Sequence, residues 1–330
     1  MRLATVPGDG PDGQLVVVSA DLRRALPVAI VTTMQSMLDH WNEVEPAVRR
    51  LSKQLAVDSQ TGVPFDALAA LAPLPRAWQW LDGSTFPAHG ELMAQAFGIK
   101  AVTDGRPLMY QGLSDHFFGP AADVPLADEA DGIDFEGEFG VVVDAVPMGI
   151  TAGEALKHIR LVVQINDWSL RTIAPVEMRT GFGWLQSKPA CSAAAVAVTP
   201  DELGPAWRNG RVGLPLAIDL NGRSFGRANG AEMGFGFHDL IAHAARTRRL
   251  CAGTLIGSGT VANADYAVVG SSCIAERRMI ETIRCGSPET GFMRFGDRVR
   301  MEARDLQDAP LFGPIDQRVV AAPLAPIGRT

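Results

Sequence analysis

A group of acidic residues stands directly ahead of an apolar run in the middle of the chain. Asp134, Glu136 and Glu138 occupy alternate positions, and Phe139-Gly-Val-Val-Val continues from the last of them. Because successive side chains of a β-strand point to opposite faces, the three carboxylates are predicted to share one face. Like charges at that spacing repel one another, so the pattern indicates either a solvated strand face or a bound hard cation. An EF-hand calcium loop is excluded, because its first ligand position would fall on Ala127.

A second polar pair follows another apolar run. Asn166 and Asp167 come directly after the strand-like residues 159–165. Polar groups at the end of a buried strand are common in functional sites. A strand-to-loop turn is the alternative interpretation, since Asn and Asp are frequent in turns. The pair is therefore a second candidate for a site built on strand ends.

A histidine is predicted in the first turn of a helix. In the segment from Asp82 to His89, Ser84 or Thr85 is placed to cap a helix that has Pro87 in its first turn. The positive end of the helix dipole favours a neutral imidazole at this position, which suits a general base. An exposed histidine without a function is the alternative interpretation.

The elements that must position these groups divide the chain into two parts. Residues 1–20 contain two strand-like runs around Gly-Asp-Gly-Pro-Asp-Gly, a formal match to the Gly-x-Gly-x-x-Gly dinucleotide fingerprint. That fingerprint needs a helix after its last glycine, whereas another β-rich run follows here, so a hairpin is predicted instead. Apolar residues near 3.6-residue spacing predict a helical stretch over 29–57, and an Ala- and Pro-rich connection follows over 61–76.

Strand-like runs dominate the sequence after residue 76. Gly and Pro turns separate most of them, and helical patterns are fewer, mainly near 86–97, 153–158 and 237–248. The strand-like runs are 139–146, 159–165, 196–199, 214–220, 254–261, 266–276 and 298–303. This order predicts an α+β, β-rich domain over 76–330, not a doubly wound parallel sheet, behind a small α+β domain over 1–75.

Composition narrows the classes of partner. The chain has 330 residues, 47% of them hydrophobic and 20% charged, which is ordinary for a globular protein. Its formal net charge of −7 without a basic cluster argues against nucleic acid as a partner. The sequence has no apolar run long enough for a membrane span, and its start lacks the pattern of a signal peptide. The four cysteines form no Cys-x-x-Cys pair, so we expect a cytoplasmic protein with free thiols.

Taken together, these segments resemble the fumarylacetoacetate hydrolase family. Glu136-Gly-Glu138 resembles its Glu-x-Glu metal motif, and Asn166-Asp-Trp-Ser-Leu-Arg171 resembles its Asn-Asp-Trp-Ser-x-Arg-Asp motif, with Thr172 in place of the last aspartate. Further matches, in order, are Gln-Ser-Lys188-Pro, Gly257-Ser-Gly-Thr260, Glu276 at the end of a predicted strand, and Gly296-Asp297-Arg-Val. The resemblance covers the chain from Asp82 to Arg300. It implies a mixed β-sandwich or roll as the C-terminal domain.

The resemblance implies one divalent cation held by four carboxylates. The implied ligands are Asp82, Glu136, Glu138 and Asp167. All four offer oxygen atoms, so Mg²⁺ or Ca²⁺ is expected, with Mn²⁺ next, and zinc is not.

The resemblance also implies a catalytic pair and two assisting cations. His89 would be the base that activates water, and Glu276 would orient and stabilise its ring. Arg171 and Lys188 would offset the carboxylates and stabilise negative charge during the reaction. On the residues alone, a surface lysine and a surface ion pair stay open as interpretations of Lys188 and Glu276.

Tyr110 and Thr260 fall at substrate-binding positions of the family, with a core tyrosine and a turn residue as the structural alternatives. The family acts on small 1,3-diketo or 2-oxo acids and usually forms homodimers, so both are expected here. Three substrate positions depart from the family pattern. Ala174 replaces a glutamine, Ser84 a tyrosine and Gly98 an arginine.

The leading expectation is hydrolysis of fumarylacetoacetate to fumarate and acetoacetate, as in the degradation of tyrosine and other aromatic amino acids. Within the same family, an acylpyruvate hydrolase, an oxaloacetate decarboxylase and an oxo-acid hydratase or isomerase stay open. A metal-binding protein without catalysis is the alternative of a different class.

Overall fold

Two large sheets and a pair of N-terminal helices form three layers. The structure is a computed structural model that describes residues 1–97 and 105–323. The strands of these residues are, in chain order, β1 (Arg2–Val6), β2 (Gln14–Val18), β3 (Arg24–Pro27), β4 (Val63–Pro64), β5 (Gln79–Ser84), β6 (Leu108–Gly112), β7 (Val124–Leu126), β8 (Ile133–Asp134), β9 (Gly137–Val143), β10 (Ile159–Asn166), β11 (Ser169–Leu170), β12 (Ser192–Ala193), β13 (Val196–Val198), β14 (Trp207–Arg208), β15 (Arg211–Val212), β16 (Pro215–Leu220), β17 (Arg223–Asn229), β18 (Thr254–Gly257), β19 (Arg298–Ala303) and β20 (Ile315–Ala321). The α-helices are α1 (Met34–Asp39), α2 (Trp41–Val57), α3 (Pro87–Phe97), α4 (Ala152–Ala155), α5 (Ala174–Thr180), α6 (Phe237–Ala244), α7 (Tyr266–Val269) and α8 (Ile274–Cys285).

The larger sheet runs through both parts of the chain. Its strand order is β4-β3-β2-β1-β13-β10-β9-β18-β5-β6, and β12 also pairs with β10. Neighbouring strands are antiparallel except β18 and β5, which are parallel. The smaller sheet has the order β17-β16-β19-β20-β7. Short pairs, β11 with β8 and β14 with β15, complete the strands. This sheet-rich arrangement confirms the predicted α+β, β-rich class.

Alternation along β9 shows how the large sheet is covered on both faces. Val141 and Val143 pack in a core shared with Leu216 of the smaller sheet. Val142 lies in the other core, which includes Met34 and Met37 of α1. Each of these residues is almost completely buried. Burial of a side chain of this kind stabilises the fold by about 1.5–3 kcal/mol, so the two cores fix the strands from which the site is built.

Two predicted elements differ from the structure. The stretch over 29–57 is divided, because the first helix starts at Met34, where Thr33 Oγ1 accepts from the Ser36 N–H, and ends before His40. The run over 266–276 was predicted as a strand and instead contains α7 and the start of α8. Three buried residues of α8, Glu276, Met279 and Ile280, stand at i, i+3 and i+4, which is helical spacing and not the alternation of a strand. The hairpin of β1 and β2 is confirmed.

Among residues 1–97 and 105–323, each helix is too short or too polar to cross a membrane. The N-terminal strands join the larger sheet directly, since Leu3 of β1 pairs with Ala197 of β13. A boundary between residues 75 and 76 stays a prediction.

Candidate active site

Four carboxylates converge at one end of the large sheet. Asp82, Glu136, Glu138 and Asp167 each place a carboxylate oxygen within 4.8 Å of the others, and all four side chains are buried. Asp82 lies on β5 and Glu138 on β9, while Glu136 and Asp167 stand at the adjoining ends of β9 and β10. The structure therefore brings together the four residues that the resemblance implied as ligands.

A glycine leaves the space in which these carboxylates meet. Gly257 of β18 lies between β5 and β9 and is paired with Asp82 on one side and Gly140 on the other. A Cβ atom at this position would lie 2.2 Å from Asp82 Oδ1 and 2.3 Å from the Trp80 ring. Any larger residue would displace the aspartate, so the middle strand carries no side chain here.

Two cations neutralise part of the acidic cluster. Lys188 Nζ lies 2.5 Å from Asp167 Oδ2 and 2.8 Å from Glu136 Oε2, and Arg171 Nη2 lies 2.5 Å from Glu136 Oε1. Although burial alone would raise the pKa of Glu136, Lys188 and Arg171 hold it well below its ordinary value. Glu136 is therefore the ionised and fully paired member of the cluster.

Glu138 has no such compensation. Its side chain is completely buried, and neither carboxylate oxygen has a hydrogen-bond partner among the described residues. Burial, followed by the charges of Asp82 and Asp167, raises the pKa of Glu138. Burial and the charge of Asp167 likewise raise the pKa of Asp82. A buried carboxylate without a donor is costly, and a divalent cation would satisfy it.

The donor set fits a hard divalent cation. All four groups are carboxylates, which suit Mg²⁺, Ca²⁺ or Mn²⁺, and their oxygens already lie close together. Lys188 and Arg171 offset only two of the four negative charges. The site thus has both the ligand type and the residual charge that a dication requires, while the identity of the metal is open.

Asp167 is held by three different donors. Lys188 Nζ and the Tyr110 hydroxyl both donate to Oδ2, the latter at 2.6 Å, and Cys191 Sγ donates to Oδ1 at 2.8 Å. From the sequence, Cys191 is only one of four expected free thiols. Its position three residues after Lys188 was the available signal, because the turn that delivers the lysine brings the thiol to the same aspartate.

A histidine–glutamate pair lies beside the acidic cluster. His89 is the third residue of α3, and its Nδ1 lies 2.9 Å from Oε2 of Glu276, which is completely buried. The charge of His89 acts on the pKa of Glu136, so the pair is within electrostatic reach of the cluster. Glu276 was predicted at the end of a strand, and the structure instead places it in the first turn of α8.

The predicted cap of the His89 helix is also wrong. The helix begins at Pro87, and Ser84 is the last residue of β5. The Thr85 hydroxyl donates to the Ser258 carbonyl at 2.7 Å, so it is occupied by the loop after β18. The Thr85 side chain therefore makes a tertiary contact instead of capping α3.

Asp134 does not join the cluster, although it was predicted to share a strand face with Glu136 and Glu138. The strand is interrupted between β8 and β9, so the alternation does not carry across. Asp134 Oδ1 accepts from the Ile274 N–H at 2.7 Å, and Oδ2 accepts from the Ala275 N–H at 2.8 Å. Arg171 Nε also donates to Oδ2 at 2.8 Å. Asp134 therefore closes the N-terminus of the helix that carries Glu276.

The remaining predicted residues are distributed around the cluster. Tyr110 of β6 is paired with Asp82 of β5. Thr260 is buried in the loop after β18, next to Gly259, whose N–H donates to Asp82 Oδ1 at 3.1 Å. Ala174 is the first residue of α5. Gly98, where an arginine was expected, lies outside the described residues.

Comparison with known families and proteins adds a second line of evidence. The model of the fumarylacetoacetate hydrolase C-terminal domain matches residues 79–320, and a model of fumarylacetoacetase N-terminal domain 2 matches residues 1–76. A 2,4-didehydro-3-deoxy-L-rhamnonate hydrolase from Sphingomonas sp. (strain SKA58) is 27% identical over 157 residues, 47% of this chain and 52% of that protein. The human mitochondrial oxaloacetate tautomerase FAHD2B is 26% identical over 237 residues, 69% of this chain and 68% of its own length. The chain thus spans about half of the first relative.

Solved structures share the whole fold. Fumarylacetoacetate hydrolase from the psychrophile Exiguobacterium antarcticum has a TM-score of 0.67 at 17% identity, with 97% of this chain and 99% of that chain covered. Maleylpyruvate hydrolase from Sphingobium sp. SYK-6, solved with manganese(II) and pyruvate, has a TM-score of 0.66 at 15% identity, with 98% and 100% covered. At these identities the likeness shows the fold.

Proposed function

The chain belongs to the fumarylacetoacetate hydrolase family, and from this premise we propose that it is a divalent-cation-dependent hydrolase of a 1,3-diketo acid. The members of this family that the chain resembles include hydrolases and a tautomerase. The observation that carries hydrolysis is the His89–Glu276 pair, because cleavage by water needs a base that takes a proton from that water. Fumarylacetoacetate and acylpyruvates are the substrate classes that this chemistry takes.

Asp82, Glu136, Glu138 and Asp167 would hold the cation. When bound, a divalent cation supplies a Lewis acid and a chelating centre for the two oxygens of a dicarbonyl group. The residues around the cation site position and charge its carboxylates. Lys188 and Tyr110 keep Asp167 in place, and Lys188 also keeps Glu136 ionised.

His89 is oriented for proton transfer by its partner. Nδ1–H donates to the Glu276 carboxylate, which leaves Nε2 as the ring nitrogen that accepts a proton from water. The hydroxide so formed adds to the acyl carbonyl carbon, and the carbon–carbon bond to the neighbouring methylene then breaks. The proton that His89 took is available to the enolate that departs, so one water and one diketo acid give a carboxylic acid and an oxo acid. Buried Glu276 stabilises the protonated ring in between.

Arg171 and Lys188 contribute positive charge where the carbonyl oxygen becomes negative. Both already contact the cluster, with Arg171 fixed between Asp134 and Glu136. Their positions are set before the reaction, so no reorganisation is required when charge develops.

The test is turnover of fumarylacetoacetate, acetylpyruvate and oxaloacetate with Mg²⁺ and with EDTA. We expect metal-dependent hydrolysis of a diketo acid, and a loss of about 10²–10⁴-fold in kcat for His89→Ala. The matched control is His158→Ala, which removes the histidine of the His158–Asp144 pair, with Nδ1 to Oδ1 at 2.6 Å, on another part of the protein. It is expected to leave kcat unchanged.

Oxaloacetate tautomerase activity is the second candidate, and the similarity to human FAHD2B favours it. Tautomerisation or decarboxylation of oxaloacetate that survives His89→Ala, without cleavage of any diketo acid, would contradict the hydrolase and support this alternative.

Metal binding that raises the melting temperature, without turnover of any of the three compounds, would point to a metal-binding protein without catalysis. We also expect the protein to form a homodimer and to be cytoplasmic.

A further inference from the structure

An aromatic side chain outside the predicted set lies against the candidate site. The rings of Trp184 and Tyr110 are in edge contact, with centroids 6.1 Å apart at 73°. Tyr110 is fixed on its other sides, because its hydroxyl donates to Asp167 and Lys188 Nζ lies 5.3 Å from its ring centroid. Trp184 is therefore one side chain removed from the acidic cluster.

The loop that carries Trp184 is held by a single carboxylate. Glu177 of α5 accepts from the N–H groups of Leu185, Gln186 and Ser187 at 3.0, 2.8 and 3.1 Å, and from the Ser187 hydroxyl at 2.5 Å. The hydroxyl bond, with the backbone bonds, lowers the pKa of Glu177 to about 2 even though burial opposes it. The loop between α5 and Lys188 consequently has a defined shape, which turns Trp184 toward Tyr110.

The same loop presents apolar side chains to solvent. Phe182 is 98% exposed and Leu185 is 83% exposed, while Trp184 is half-buried. Large apolar side chains grouped at the edge of a polar site are typical of a surface that contacts a ligand. Two cations of this site lie at the acidic cluster: Lys188 contacts Glu136 and Asp167, and Arg171 contacts Asp134 and Glu136.

We propose that Trp184, together with Tyr110, forms an apolar subsite for the acyl end of the substrate. The inference rests on the proposed function and narrows its substrates. Diketo acids with an uncharged aryl or alkyl acyl group are preferred over those whose acyl group carries a second carboxylate. Trp184 supplies an aromatic wall, and Lys188 and Arg171 are occupied by the cluster. A carboxylate placed against the face of the Trp184 ring would lose its hydration without a hydrogen bond from that face in return. An acylpyruvate with an apolar acyl group thus ranks ahead of fumarylacetoacetate.

The test compares three acylpyruvates in the presence of Mg²⁺: acetylpyruvate, benzoylpyruvate and fumarylpyruvate. KM and kcat are measured for each, and the dissociation constant is measured by calorimetry in the His89→Ala background, so that binding is followed apart from turnover. We expect benzoylpyruvate to bind at least about tenfold more tightly than fumarylpyruvate, the scale of discrimination that an apolar pocket gives. Trp184→Ala should remove that advantage and change acetylpyruvate binding by less than about threefold.

Two further variants separate specificity from structure. Trp184→Phe keeps an aromatic wall and should retain most of the preference for benzoylpyruvate. Trp78→Ala removes another exposed tryptophan, 65% exposed and placed ahead of β5, and should have no effect. Mn²⁺ binding, followed by its paramagnetic resonance signal, should be the same in all of these variants.

The subsite is contradicted if fumarylpyruvate binds as tightly as benzoylpyruvate. It is also contradicted if Trp184→Ala weakens all three ligands equally, which a structural role would produce. Selective binding of benzoylpyruvate without hydrolysis supports the subsite and contradicts the proposed hydrolase. Hydrolysis of all three compounds without selectivity supports the hydrolase and contradicts the subsite.

Discussion

At the scale of single residues, the acidic cluster opposes the folding of the metal-free protein. Glu136 and Asp167 each gain donors, but Glu138 is buried and, within residues 1–97 and 105–323, neither of its oxygens has a hydrogen-bond partner. Burial and neighbouring carboxylates raise its pKa, which means that the folded state disfavours its charge. The cluster could therefore hold a divalent cation, and we expect the stability of the protein to depend on that cation.

Replacing Glu138 with Gln removes one charge from the cluster without changing its size. In EDTA we expect the melting temperature to rise by about 2 °C or more, because the repulsion is relieved. With Mg²⁺ the wild type should gain stability and Glu138→Gln should gain little. Differential scanning calorimetry with and without the metal checks both expectations.

The control for this variant is Glu302→Gln. Glu302 is also buried, but Arg300 and Arg304 both bind its carboxylate, so its loss should lower the melting temperature or leave it unchanged. A drop in the melting temperature of Glu138→Gln in EDTA would show that the cluster is not strained in the absence of metal.

The sequence identifies the residue types of the site better than their partners. The carboxylates and His89 follow from motifs whose own residues lie within a few positions of one another. Asp134 and Cys191 act through contacts that no local pattern reveals, since Asp134 meets an N–H group 140 residues further along the chain. Asp134 was grouped with the strand face because the break before β9 cannot be foreseen from alternation alone.

At the scale of elements, helix α8 depends on a side chain from elsewhere. Its N-terminal N–H groups bind Asp134, and Cys273 Sγ accepts from the Glu276 N–H at 3.3 Å. A cysteine is a weak cap compared with Ser, Thr, Asp or Asn, which explains why sequence analysis placed a strand here. Asp134 therefore has two roles, as the cap of α8 and as the partner of Arg171.

Asp134→Ala should destabilise the protein and also reduce catalysis. Loss of one partner of a buried ion pair costs about 3–5 kcal/mol. Here Arg171 would keep Glu136 as its one carboxylate partner among the described residues, and α8 would lose its cap. Because the loss of the cap would displace Glu276 on α8, kcat should also fall, with less effect on the affinity for Mg²⁺. Chemical unfolding, activity and Mg²⁺ titration measure the three quantities.

Glu281→Ala is the matched control on the same helix. Glu281 accepts from the N–H groups of Glu289 and Thr290, at 2.7 and 2.8 Å, and lies on α8 beyond the site. It should lower stability while kcat of the remaining folded protein is unchanged. If Asp134→Ala behaved in the same way, Asp134 would be a structural residue alone.

At the scale of the whole molecule, the N-terminal segment is part of the main scaffold. Strand β1 pairs with β13, and α1 and α2 cover one face of the strands β9 and β10 that hold Glu138 and Asp167. A small N-terminal domain over 1–75 is predicted from the Ala- and Pro-rich connection after it, and this division stays a prediction. Pairing across nearly 200 residues is what a reading along the chain could not supply, although the β-rich class itself was predictable.

A chain that begins at residue 77 should not fold as a monodisperse protein. It would leave the edge of β13 unpaired and would expose Val142, Leu161 and Val163, which the N-terminal helices cover. We expect aggregation on size-exclusion chromatography and no cooperative unfolding transition. A soluble fragment with a sharp transition and intact Mg²⁺ binding would show that residues 1–76 are dispensable for the fold.

The two halves of the candidate site stand on different parts of the scaffold. The carboxylates lie on or next to strands inside the large sheet. His89 and Glu276 lie instead on α3 and α8, which pack on each other through Leu92, Met279 and Ile280. In evolutionary terms α3 and α8 can change while the carboxylates stay, provided that Asp134 keeps its contacts with α8 and Arg171. A lineage can inherit the cation site unchanged and alter only this pair of helices, and so exchange one reaction of an oxo acid for another without rebuilding its architecture.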